Sequence, residues 1–309
     1  MEQEISGVLI IDKPAGITSH DVVARIRRLL KIQRVGHFGT LDPFATGVLP
    51  ISLGKATRFA QFYLKSRKTY EGSICFGFAT DTYDATGTPA SEPVPEKPEK
   101  SEIERAFRDF TGRIQQIPPP FSAKRVGGVR AYKLARLHQP VTLGPVEVEI
   151  YALELLQYHS EDGVAGFAVE CSGGTYVRSL AYDIGRRLNC PAHLASLRRT
   201  AVAEFHERRS ATLSRIEEIV REKTLAQLLV PLEALLPECH ELIVRGREEK
   251  NVRHGRQFEL AQFIRPERGQ KSNRTPEISV LKILNADRRL IAIARHVSGG
   301  IYHPDLVIS

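Results

Sequence analysis

A chain of 309 residues, 42% of them hydrophobic, is long enough for a sizeable core and for two domains rather than one. Its apolar runs fall short of a membrane span, and its opening Met-Glu-Gln-Glu-Ile is acidic where a secretory signal is basic. Cys75, Cys171, Cys190 and Cys239 form no Cys-x-x-Cys pair, which argues against zinc and disulfide frameworks and makes a reducing cytoplasm the expected compartment. The net charge of +8 serves solubility, and it also suits a polyanionic partner whose phosphates release counterions when neutralised. Residues 241–309 hold 13 Lys or Arg against 8 Asp or Glu, so much of the excess sits in the tail.

Val8-Leu-Ile-Ile-Asp12-Lys13-Pro14 reads as a short buried strand stopped by a proline. Thr18-Ser-His-Asp21 then caps an amphipathic helix through Val22, Val23, Ile26, Leu29 and Leu30. Ile74, Phe76 and Phe78 alternate along a half-exposed strand from Tyr70 to Phe78. A polar turn, Thr80 to Gly87, leads into the Pro/Glu/Lys-rich loop 89–100, and Ser101-x-x-Glu104 predicts a capping box for a helix ending near Gly112. Residues 118–146 lack pattern; strands are predicted at 146–158 and 164–171, a helix at 177–188 and a helical region at 212–236. Beyond Pro237 the texture changes to a basic segment poor in helix pattern, with a hairpin at 278–284 and 290–297 around Asn285–Arg289. Strands and helices without a strict βαβ repeat predict an α+β fold.

The string Gly36-His-Phe-Gly-Thr-Leu-Asp42-Pro-Phe-Ala-Thr-Gly-Val-Leu-Pro50 surrounds one carboxylate with small and turn-forming residues. Pro43 biases Asp42 toward an extended backbone, so the acid either presents itself on a constrained loop or begins an ordinary Asp-Pro turn. The whole string resembles the catalytic motif of the TruB-type tRNA pseudouridine synthases, typically Gly-His-Thr-Gly-Thr-Leu-Asp-Pro-x-Ala-Thr-Gly-Val-Leu. Here Phe38 stands in place of the usual Thr. Lys13-Pro-x-Gly16, Gly54-Lys-Ala-Thr-Arg58, Gly173-Gly-Thr-Tyr176-Val-Arg178 and His193-Leu-Ala-Ser-Leu197-Arg198-Arg199 extend the likeness over essentially the whole chain.

The resemblance implies a catalytic domain, 1–236, built on a mixed, mainly antiparallel sheet flanked by helices and loops. It implies an RNA-binding insertion at about 118–146 and a small β-rich PUA-like domain at 237–309, a weaker likeness that includes Val252-Arg-His-Gly255. It makes Asp42 the nucleophile, Arg178 the partner of its carboxylate, and Tyr70 the ring against the target uracil. An Arg beside an Asp favours the ionised acid. An unperturbed tyrosine titrates near pH ~10, so general-base duty for Tyr70 is secondary. Tyr176 is expected to orient the Asp–Arg pair, Asp84 to join the network or form an Asx-turn, and Leu197 to pack on the base. Arg198 and Arg199 are expected to meet phosphates, His37 to enter the RNA loop by stacking, and Arg58 to bind substrate where the family carries Lys. Lys124, Arg125 and Arg130 belong to the insertion, where Gly127 replaces a common Asn.

The implied reaction converts the N1–C1′ bond of uridine 55 in the tRNA T loop to C5–C1′ after base flipping. Reactant and product are isomers, so no metal, nucleotide or redox cofactor is expected. A monomer is the family expectation, with tRNA the partner. A non-catalytic RNA-binding protein on the same scaffold is the competing reading, and a guide-RNA-dependent subunit a lesser one. The set Asp42, Tyr70 and Arg178 separates catalysis from binding alone.

Overall fold

The computed structural model describes residues 5–121, 143–263 and 278–308, with the backbone alone of 125–126 and 129–130. Lys124 and Gly127 lie outside the described residues. Strand β1 (Gly7–Lys13) buries Val8, Leu9, Ile10 and Ile11 on both its faces, the pattern of a strand covered on two sides. Helix α1 (Ser19–Leu30) follows, capped as expected. The Thr18 hydroxyl accepts from Asp21 N at 3.0 Å, and the Asp21 carboxylate accepts from Thr18 N at 2.9 Å, a capping box that stabilises the helix by about 1 kcal/mol. Val22, Val23 and Ile26 on its inner face pack with Leu9, Ile11, Leu49 and Ile51.

Next in the chain come β2 (Val35–His37), β3 (Thr46–Leu53), α2 (Ala60–Tyr63), β4 (Lys68–Phe76), α3 (Lys100–Asp109) and β5 (Gly112–Gln116). A two-stranded ribbon, β6 (Arg125–Val126) and β7 (Val129–Arg130), precedes β8 (Val146–His159), β9 (Val164–Cys171) and helix α4 (Val177–Arg187). Strands β10 (Ala192–Val202), β11 (Phe205–His206) and β12 (Ala211–Thr212) with helix α5 (Leu213–Arg221) complete the larger unit. Its ten-stranded sheet runs β12-β1-β3-β10-β4-β9-β8-β5, with β2 on β3 and β11 on β10. Only β1–β12 and β3–β10 are parallel, so the sheet is mixed and mainly antiparallel. The β3–β10 pairing is two residues long, Arg198↔Thr46 and Arg199↔Gly47. The loop carrying Asp42 leads directly into this short seam.

A second sheet, in the order β13-β15-β16-β17-β14, is built from β13 (His240–Ile243), β14 (Phe258–Glu259), β15 (Val280–Leu284), β16 (Leu290–Ser298) and β17 (Ile301–Val307). The β15–β16 pair is the expected hairpin. The two sheets share one core, in which Leu284, Leu290, Ile293, Leu306 and Ile308 pack with Val8, Ile10, Phe59 and Val202. Among the described residues no helix is long and apolar enough to cross a membrane, and all four cysteines are free.

Two local expectations are corrected, at α3 and after α5. The capping box of α3 is Glu99 with Glu102, two residues earlier than Ser101 with Glu104. The helical region at 212–236 is one α-helix only to Arg221, because Lys223 turns left-handed at φ 60°; beyond it come the short 3-10 turns Leu225–Gln227 and Leu232–Ala234, with Pro231 between them. Among its described residues the basic tail has one α-helix, α6 (Gly246–Arg253), which Val252 anchors into the small core. The segment His193–Arg199 lies inside the long strand β10.

Candidate active site

The Asp42 loop is held by its neighbours in three dimensions more than by its own turn. The Ser19 hydroxyl, buried at the start of α1, accepts from Leu41 N at 2.9 Å and donates to Leu41 O at 3.1 Å. Gly16 N donates to Pro43 O at 2.8 Å, and the buried Lys13 ammonium donates to the same carbonyl at 3.2 Å and to Ile17 O at 2.9 Å. Burial lowers the Lys13 pKa to about 8, while the nearby Asp42 charge pulls it back up. Gly39 takes φ 124° and Gly47 takes φ 101°, and a Cβ on Gly47 would lie 2.3 Å from the Arg199 carbonyl oxygen. Only glycine permits that approach.

The loop delivers the Asp42 carboxylate to the Arg178 guanidinium. Arg178 Nε donates to Oδ2 at 2.9 Å and Nη2 donates to Oδ1 at 3.3 Å, a two-point pairing. The Arg178 side chain is 7% exposed and the Asp42 side chain 35%, so the cation is sealed while the acid faces outward. Arg178 spends its other donors on Thr82 O and Phe121 O, each at 3.0 Å, and on Asp84 Oδ2 at 3.4 Å. Both readings of Asp84 hold at once: its carboxylate meets Arg178 and accepts from Thr82 Oγ1 and Thr86 N at 2.9 Å in an Asx-turn. Helix α4 is oriented at its first turn, where Gln116 brackets the Tyr176 backbone at 3.0 and 3.3 Å and Ser179 Oγ donates to Ile117 O at 2.7 Å.

A cavity of about 240 Å³ opens beside this pair, lined by Asp42, Lys68, Tyr70, Tyr176, Arg178 and Leu197. The structure therefore brings together five residues that the sequence analysis singled out separately. Tyr70 is buried, and burial pushes its hydroxyl up to about 12 against the pull of the Arg199 charge. At neutral pH it is a protonated phenol, fit to stack or donate. The Lys68 ammonium donates to Ser66 O at 2.8 Å and Leu64 O at 3.2 Å, closing the C-terminal end of α2 at the cavity wall, and burial lowers its pKa to about 8.

The remaining expectations fare differently. His37 is half-buried at the loop entrance, its Nδ1 accepts from Gly39 N at 3.2 Å, and burial followed by the Arg199 charge lowers its pKa. Arg58 is exposed away from the cavity and donates to Val307 O of the second sheet, so it ties the two units together. Arg198 donates to both Asp12 oxygens at 3.0 and 3.2 Å and to Glu207 at 2.9 Å. Two protein carboxylates thus occupy the guanidinium expected to meet phosphate. Arg199 is 0% exposed with every donor turned to the protein, so the expected phosphate contact is corrected. Arg125 and Arg130 pair in the β6–β7 ribbon through their backbones. Lys13, Ser19, Lys68 and Gln116 were missed as site residues; only Lys13, inside a matched turn, carried a local signal.

Known proteins resemble this chain. The family model described as "TruB family pseudouridylate synthase (N terminal domain)" matches residues 27–177, and the one described as "tRNA pseudouridylate synthase B C-terminal domain" matches residues 178–237. A protein of Solibacter usitatus named tRNA pseudouridine synthase B is 43% identical over 304 residues, covering 98% of this chain and 100% of that protein. One of Aquifex aeolicus with the same name is 39% identical, covering 84% of this chain and 89% of its own. Among solved structures, "Structure of H/ACA RNP bound to a substrate RNA containing 2'-deoxyuridine" aligns with a TM-score of 0.70 at 24% identity, over 97% of this chain and 84% of that one. That last likeness is one of fold.

Proposed function

The chain belongs to the TruB family of pseudouridylate synthases, and on that premise we propose that it isomerises uridine 55 of the tRNA T loop to pseudouridine with Asp42 as nucleophile. The observation that carries this reading is the outward-facing Asp42 carboxylate, fixed by two Arg178 hydrogen bonds at the wall of a cavity that Tyr70 and Leu197 also line. Pure RNA binding calls for no such pairing of a sealed Arg with an outward-facing carboxylate. The target base lies inside a folded loop and must be flipped into the cavity, at a cost of a few kcal/mol that stacking and phosphate contacts offset.

Asp42 attacks the nucleotide, at the base or at C1′ of the ribose, and the N1–C1′ bond breaks. The uracil turns within the cavity, between the Tyr70 ring and the Leu197 side chain, C5 bonds to C1′, and the bond to Asp42 breaks to return its carboxylate. C5 surrenders its hydrogen and N1 gains one, so atoms and electrons balance without a cofactor. Arg178 keeps the carboxylate aimed throughout, because its own position is fixed by Thr82, Phe121 and Asp84. In this reading residues 1–236 form the catalytic domain and the basic residues 237–309 a PUA-like RNA-binding domain, in a cytoplasmic monomer.

The test uses two tRNA transcripts tritiated at uridine C5, one with its T-loop uridine 55 and one with cytidine there. Tritium release from the first alone is the expected result. Equal release from both would remove the T loop as the target, and release from neither would favour a non-catalytic RNA-binding role.

A further inference from the structure

Arg199 heads the largest fully buried side chains among the described residues, and it is spent on the catalytic loop. Strand β10 brings it to the two-residue seam with β3, where its backbone touches Gly47. From there the guanidinium reaches along the loop. Nη2 donates to Gly39 O at 3.1 Å, Nη1 to Thr40 O at 3.1 Å, and Nε to Val48 O at 2.8 Å. These three carbonyls stand on both sides of Asp42 in the chain. Arg199 and Tyr70 stand directly opposite each other as partners in the β10–β4 pairing, which sets their side chains side by side on one face of the sheet.

We infer that Arg199 is the positioning residue of the site, clamping both limbs of the Asp42 loop and the Tyr70 wall into one frame. A planar fork with donors in fixed directions can address carbonyls on either side of a loop, which a lysine ammonium cannot do from a single point. Sealed from solvent, it cannot act on RNA directly. The inference rests on the synthase reading for its catalytic consequence, though the clamp itself is a matter of geometry.

The experiment compares the full-length parent with Arg199→Lys, Arg199→Met and Tyr70→Phe. Circular dichroism and thermal unfolding establish which variants fold, and rates are taken well below each melting midpoint. Folded Arg199→Lys should bind tRNA within about threefold of the parent with the same salt slope, while its single-turnover rate falls by about 30-fold or more. An unchanged rate would overturn the clamp. So would weaker binding with a shallower salt slope and a normal rate, which is the signature of a lost phosphate contact.

Should neither Arg199 variant fold, hydrogen exchange decides. Tyr70→Phe removes the hydroxyl that Arg199 faces and should speed exchange in the 38–48 segment at least about threefold; unchanged exchange there overturns the shared frame. If the parent itself makes no pseudouridine, the functional reading fails, and the exchange comparison still judges the clamp.

Discussion

At the scale of single residues, the site depends on directed hydrogen bonds around one acid. Arg178 meets Asp42 at two points and three further acceptors from the same plane. Arg178→Lys keeps the charge and loses that geometry, so its single-turnover rate is expected to fall about 100-fold, with tRNA affinity little changed in a filter-binding assay. A rate within about threefold of the parent would show that charge alone suffices. Tyr70 offers a pH test. Burial raises its pKa to about 12, so the phenol stays protonated through the working range, and the rate should show no alkaline limb belonging to Tyr70 below pH ~10. A limb near pH 9 that vanishes in Tyr70→Phe would contradict this. Asp42 and Arg178 could be singled out because each sits in a contiguous motif, and Tyr70 only through the family resemblance; the fold places all three at one cavity. Ser19 and Gln116 could not, since their partners lie 22 and 60 residues away and no local pattern announces a pairing made by the fold. Arg199 was legible as important and misread in role: its neighbour Arg198 is part-exposed while Arg199 points inward, and strand alternation had not been assigned to that segment.

At the scale of elements, helix α4 carries Arg178 at its second position and a second titratable group one and a half turns on. Burial raises the Asp183 pKa to about 6, with Arg186 opposing. The folded state therefore holds this proton more tightly than the unfolded chain, so its contribution is fully present below pH ~4 and is lost as pH rises through about 6. Asp183→Asn should stabilise the protein at pH 7.5 by about 1 kcal/mol after allowance for solvent screening, and should give no gain at pH 4. Urea unfolding at both values checks this, and an equal difference at the two would contradict it. Strands β1, β4, β8, β9, β15 and β16 and the N-cap of α1 were readable from period and cap chemistry, whereas β3, β10 and β17 were not. The α3 cap was misplaced because Glu99 served as the N-cap where Ser101 is the commoner choice. The end of α5 was overrun because left-handed Lys223 leaves no composition signal.

At the scale of the whole molecule, the two sheets are not independent beads. Phe38, which stands where the family motif usually has Thr, is fully buried and stacks on Tyr63 at 4.4 Å, next to Phe205. The Tyr63 hydroxyl donates to Glu204 and accepts from Leu236 N at 2.9 Å. The Asp42 loop thereby leans on the junction of the two units, and Lys282 of the second sheet donates back to Glu233 O at 2.8 Å. One core predicts one calorimetric transition for the full chain; two separated transitions would contradict the shared core. Phe38→Thr should cost about 3 kcal/mol by leaving a cavity under the loop, read as a lowered urea midpoint, and an unchanged midpoint would show that the stack contributes nothing. The second sheet begins at His240, just after the change of composition at Pro237, whereas the common core left no mark in the sequence, because it is assembled from strands far apart in it.

The most direct test of the central claim is tritium release from C5-labelled tRNA by the parent and by Asp42→Asn, with tRNA binding measured on both. The substitution replaces one oxygen and leaves the fold and the RNA surface intact. The account predicts release by the parent, none by Asp42→Asn, and similar tRNA affinity for the two. Undiminished release by Asp42→Asn would contradict it, because the nucleophile would then have to be another group.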